Sequence, residues 1–95
     1  MISKLKDPKM DELFKAILSL KTIEECYCFF DDLCTVSELK AMEQRFQVAK
    51  MLSQGRVYSE IAVETGASSA TISRVNRALL YGSDGYKTVL SRLEK

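Results

Sequence analysis

Apolar side chains recur at helical spacing along most of the chain, and capping residues punctuate them at intervals that predict six helices. Asp7 followed by Pro8 reads as an N-cap with proline at the first helical position. Met10, Leu13, Phe14, Ile17 and Leu18 then follow, predicting a helix that ends near Lys21. Thr22 and Glu25 stand at capping-box spacing, with Ile23, Cys26, Phe30 and Leu33 close to one face, so a second helix runs to about Cys34. Another box, Thr35 and Glu38, opens the longest helix. Its main stripe is Leu39, Met42, Phe46, Ala49 and Leu52, with Val48 and Met51 beside it, and Gln54 and Gly55 offer a left-handed stop. Two shorter helices, about 57–65 and 69–81, flank Gly66, and after GSDG a last helix places Val89, Leu90 and Leu93 on one face. No stretch alternates strictly, so the fold class is all-α.

The apolar surface of the long helix is wider than one packing partner in so small a bundle needs, and Tyr27 and Phe29 lie off the main stripe of the second helix. That excess predicts a homodimer of a single domain, 1–95. Dimerisation helices are expected over about 8–54 and 84–94, with a separate functional segment over about 57–80.

That segment has the form of a helix-turn-helix: a short helix, a glycine turn, and a second helix with apolar inner positions. Ile61, Ala62, Gly66, Ala67, Ile72 and Val75 fill the inward places. Thr65 occupies a slot where a larger aliphatic side chain packs better, its methyl serving instead. Ser68 can cap the second helix, leaving the positive helix end free to approach phosphate. Ser69, Ala70, Ser73, Arg74 and Arg77 then project outward. Short side chains on the leading turn let the backbone go deep into a major groove, and the arginines can reach guanine or phosphate. The alternative is an ordinary solvated helix face. Lysine and glutamate would serve such a face better than a serine-rich edge, because their helix propensity is higher.

Charge adds little. The chain of 95 residues carries a net charge of +1, and between Arg56 and Leu80 three arginines face two glutamates, again +1. One copy would hold DNA weakly; two copies with recognition helices about 34 Å apart double the contacts and select an inverted repeat in double-stranded DNA. No signal-like apolar segment and no membrane-length run occurs, which predicts a cytoplasmic protein with no membrane partner. Without histidine there is no ready general base near neutral pH, and no phosphate loop or paired-carboxylate site, so no enzyme is expected. Cys26, Cys28 and Cys34 lack a fourth ligand for zinc and are expected to be free thiols rather than a metal site.

Three pieces, LCTVSELKAMEQRFQVAKMLSQG, YSEIAVETGA and SSATISRVNRAL, resemble the Trp-repressor family, specifically its YerC/YecD-type branch found in bacteria. The resemblance runs from about Leu33 to Leu80. It implies an intertwined homodimer of six-helix chains whose helix-turn-helix units project as reading heads. It also implies base or backbone contacts at Ser69, Ala70, Thr71 and Ser73. In the founding member tryptophan sits between the long helix and the recognition helix, held by one arginine from each. The corresponding positions here are Arg45 and Arg74, with Thr35 matching a threonine near the indole pocket. Departures accompany these matches, one being a turn from long helix to motif that is shorter by about one residue than in tryptophan-binding members. Val75 stands where tryptophan-binding members have glycine, so its branched side chain would fill part of that space, and Ala62 replaces a basic residue that anchors phosphate. Arg45 is then expected to pair with Glu38 or to meet phosphate.

The resulting expectation is a homodimeric, sequence-specific transcription regulator, a repressor that needs no cofactor. DNA binding is assigned to Ser68, Ser69, Ala70, Thr71, Ser73, Arg74 and Arg77. The alternatives are an amino-acid-gated repressor, with a pocket formed by Thr35, Arg45, Arg74 and Val75, and a helix-turn-helix scaffold used for protein interaction.

Overall fold

A computed structural model describes residues 4–94 of the chain. Among these are six helices and no strand: α1 (Pro8–Leu18), α2 (Ile23–Leu33), α3 (Val36–Ser53), α4 (Tyr58–Thr65), α5 (Ser69–Tyr81) and α6 (Gly85–Leu93). The described residues fall into two compact units that divide between Leu39 and Lys40.

In the first unit the caps act as their spacing predicts. The Asp7 carboxylate accepts the Met10 N–H at 2.8 Å, and the Thr22 hydroxyl accepts the Glu25 N–H at 3.0 Å. Thr35 and Glu38 close a reciprocal box, with bonds of 3.1 and 2.8 Å. Each such cap stabilises its helix by about 1 kcal/mol. Helix α1 stops at Leu18 rather than near Lys21. Ser19 turns back on it, its hydroxyl donating to the Ala16 carbonyl at 2.6 Å, and the Lys21 N–H is already taken by the Glu25 carboxylate of the next helix. Neither α1 nor α2 has a buried residue, and Leu18, Ile23 and Tyr27 are 82, 72 and 75% exposed.

The second unit holds the core. Val48, Ala49 and Met51 of α3 are buried together with Ile61 of α4, Ala67 of the turn, and Ile72, Val75 and Leu79 of α5. Leu52, Ala62 and Tyr86 pack against this cluster. Both α3 stripes of the sequence pattern therefore contribute to the core at their C-terminal ends, Ala49 and Leu52 from one and Val48 and Met51 from the other, while Met42, earlier on the main stripe, is 46% exposed. On α6, Leu90 is buried, but Val89 and Leu93 remain open. Helix α5 ends at Tyr81, and its C-cap must be glycine in this conformation, since a Cβ at Gly82 would stand 2.4 Å from the Ala78 carbonyl oxygen.

Full burial of Ile61 makes it a sensitive probe of this core. Ile61→Ala should cost about 2–5 kcal/mol in urea unfolding. Val63→Ala, on the same helix at a position 85% exposed, should stay within about 0.5 kcal/mol of the parent.

Candidate nucleic-acid interface

Helices α4 and α5 are joined through three residues. Gly66 adopts φ 71°, and its N–H caps α4 by bonding the Ala62 carbonyl at 2.9 Å. An L-residue is strained in that left-handed region, so glycine is what permits the tight reversal. Ala67 is buried immediately after it, and Ser68 is the N-cap of α5. The Ser68 hydroxyl accepts the Thr71 N–H and donates to the Thr71 hydroxyl oxygen, both at 3.1 Å. Ser68 and Thr71 thus order the helix end.

Beyond that cap, Ser69, Ala70, Ser73, Arg74 and Arg77 are all exposed, while Ile72, Val75 and Leu79 between them are buried. Helical spacing sets Ser69 and Ser73 on one line and Ala70, Arg74 and Arg77 on the next. Neither arginine has an ion-pair partner among the described residues.

Arg56 behaves differently. Its Nε lies 3.0 Å from Glu60 and its other guanidinium nitrogen bonds Glu64, so one arginine is engaged by two carboxylates along α4. The arginine raises its own pKa through these bonds and lowers that of Glu60. The local charge of +1 is therefore unevenly spread: a net negative cluster sits at Arg56, Glu60 and Glu64, and two positive charges without an ion pair among the described residues sit on the outer face of α5.

Two other expectations change. Thr65 does not act through its methyl group alone; its hydroxyl donates to the Ile61 carbonyl at 2.7 Å and accepts the Ala67 N–H at 3.1 Å, bonds no aliphatic side chain could make. Glu38 is engaged with Thr35 rather than Arg45, and Arg45 has no ion pair among the described residues. The Thr35 hydroxyl is likewise occupied by its cap. Val75 is 2% exposed and forms part of the core. Two clefts open on the second unit. One, of about 390 Å³, is lined by Lys40, Glu43, Gln44, Gln47, Met51, Glu64 and Thr65. The other, of about 480 Å³ and mostly apolar, is lined by Phe46, Ala78, Ser83, Gly85, Tyr86 and Val89. Neither is lined by Arg45 or Arg74.

A helix-turn-helix with this outer face, on this all-helical frame, matches the family model described as Trp repressor protein over residues 8–94. The chain belongs to the Trp repressor family. It is 54% identical over 94 residues to the uncharacterized protein YerC of Bacillus subtilis, covering 99% of this chain and 90% of that one. A crystal structure of a Trp-repressor-type protein from Staphylococcus aureus superposes with a TM-score of 0.94 at 55% identity, over 99% of this chain and 94% of the other. That of a TrpR-like protein from Eubacterium eligens gives 0.93 at 56% identity, over 97 and 95%. Trp repressor family members are DNA-binding regulators and not enzymes, and this chain is a YerC-type member.

Among the described residues no group of His, Cys, Asp and Glu is placed to hold a metal ion, and no helix is long and apolar enough to cross a membrane. Cys26, Cys28 and Cys34 are free thiols. Two residues that organise the motif escaped the sequence pattern. Arg56 carried a weak signal, since Glu60 and Glu64 follow it at helical spacing; Gln44, which donates to the Thr65 carbonyl at 3.1 Å, carried none.

The carboxylates supply a pH dependence. Glu60 is held below its ordinary value of 4.5 by Arg56, and Glu38 below the same value by the Thr35 N–H and hydroxyl. Below pH 4.5 the unfolded chain therefore binds protons at these sites more readily than the folded one. Their stabilising contribution is complete above that value and disappears as pH falls through the lowered folded-state pKa values. Urea midpoints measured from pH 6 down to 3 should fall, and Glu60→Gln should flatten part of that decline; an identical slope in the variant would show that Glu60 contributes nothing to it.

Proposed function

We propose that the chain is a homodimeric, sequence-specific transcription regulator that represses by occupying an inverted repeat in double-stranded DNA. The observation that carries this reading is the outer face of α5: a leading turn of small side chains beside Arg74 and Arg77, which lack ion-pair partners among the described residues. In this reading Ser69, Ala70 and Ser73 meet base edges, Ser68 and Thr71 present the helix end to phosphate, and Arg74 and Arg77 reach guanine or backbone. The dimer is supported by α1 and α2, none of whose apolar side chains is fully buried within one chain, with Leu18, Ile23 and Tyr27 largely exposed. Segments 8–54 and 84–94 would pair the copies, and segment 57–80 would read DNA. Occupancy then excludes other proteins from the same cytoplasmic stretch of DNA.

An amino-acid-gated version would use Thr35, Arg45, Arg74 and Val75. Burial of Val75 in the core supports the version without tryptophan, since a branched side chain packs where the resemblance implies glycine in tryptophan-binding members.

Selection of bound duplexes from a random pool should enrich an inverted repeat, unchanged by an added amino-acid mixture. Replacing Arg74 and Arg77 by alanine deletes four charges from a dimer and should lower the salt slope of binding by about 3 to 4. Recovery of no enriched sequence would count against site-specific reading, and an unaltered slope would point to a scaffold role for the motif.

A further inference from the structure

The elbow between α4 and α5 is held by polar contacts, one of which comes from outside the motif. The Thr65 carbonyl stands directly before the left-handed Gly66 and accepts the side-chain amide of Gln44, on α3, at 3.1 Å. The same amide nitrogen lies 4.0 Å from the point where a Cβ on Gly66 would stand, beside the turn it bonds to. On its other side Thr65 spans the elbow, its hydroxyl tied to the Ile61 carbonyl behind and the Ala67 N–H ahead. Ala67 is 5% exposed and the next residue is the cap of α5, so the path of the chain at Ala67 fixes where α5 begins. Hydrophobic contact would tolerate sliding at this point. Hydrogen bonds weaken steeply away from linearity, and a lost one strands a partly buried backbone group.

We propose that Gln44 and Thr65 act as one polar latch that sets the direction in which α5 is presented. This makes both of them positioning residues for DNA recognition, although neither lies on the outer face of α5. The proposal rests on the DNA-binding reading above for its functional meaning.

Thr65→Val keeps the shape and removes the hydroxyl, Gln44→Leu removes the amide, and Thr65→Ser keeps the hydroxyl. Binding is measured to the selected inverted repeat and to a scrambled duplex, at a temperature where circular dichroism shows every variant fully folded. Thr65→Val and Gln44→Leu should each weaken the selected duplex about 5- to 10-fold, with the scrambled duplex and the salt slope unchanged, and Thr65→Ser should stay within about twofold. The double variant should be no weaker than the weaker single one, since both break the same latch. Losses that multiply in the double variant, equal losses on the scrambled duplex, or no loss at all would overturn the proposal. Should the parent chain prefer no duplex, the DNA-binding reading fails by itself, and amide exchange decides the latch. Gln44→Leu should then speed exchange of the Ala67 N–H roughly tenfold while leaving Ile72 unaltered; equal exchange at Ala67 would overturn it.

Discussion

Packing of Ile61, Ile72 and Val75 onto Val48, Ala49 and Met51 is the constraint on which the rest of the second unit depends. Helix α4 has 8 residues, too few to be stable in water by its own hydrogen bonds. It persists because Ile61 is fully buried against its neighbours. The same cluster commits one side of α5 to the core, and the identity of the opposite side follows from helical periodicity. A residue cannot be moved between the two sides without either exposing an isoleucine or burying an arginine.

On the outward side, electrostatics complete what packing begins. Arg56, nearest the start of α4, is neutralised by Glu60 and Glu64, whereas Arg74 and Arg77 have no ion-pair partner among the described residues. A protein whose overall charge is only +1 thereby concentrates positive charge on one helix face. Bulk composition carries no trace of this, because the compensating glutamates cancel in the sum the arginine that they also hold in place.

The legible parts of this chain were those governed by local chemistry. Asp7, Thr22, Thr35 and Ser68 cap the helices their spacing announces, and Gly66 takes the left-handed turn that only its position between two apolar runs requires. The inward and outward faces of α5 also fall where a 3.6-residue period places them. What could not be read depends on partners distant in sequence. The apolar surface of α3 is broad, and which part of it enters the core, Val48, Ala49 and Met51 rather than Met42, is decided by packing with Ile61 and Ile72. Thr65 reads in sequence as a weak substitute for an aliphatic residue, but its hydroxyl joins Ile61 to Ala67 across the turn. Gln44 lies 21 residues from its acceptor, with nothing local to mark it. The early end of α1 arises from a neighbour too, since the capping of α2 claims the Lys21 N–H.

Val75 has a consequence beyond the volume it fills. A regulator whose reading helix is aligned by a bound metabolite reports the level of that metabolite. Val75 is instead a buried branched side chain of the core, present in every copy of the chain. On the reading proposed above, the reading helix is competent whenever the chain is folded, and the signal it transmits is its own abundance. Control would then pass from the chemistry of the pocket to the synthesis and turnover of the protein.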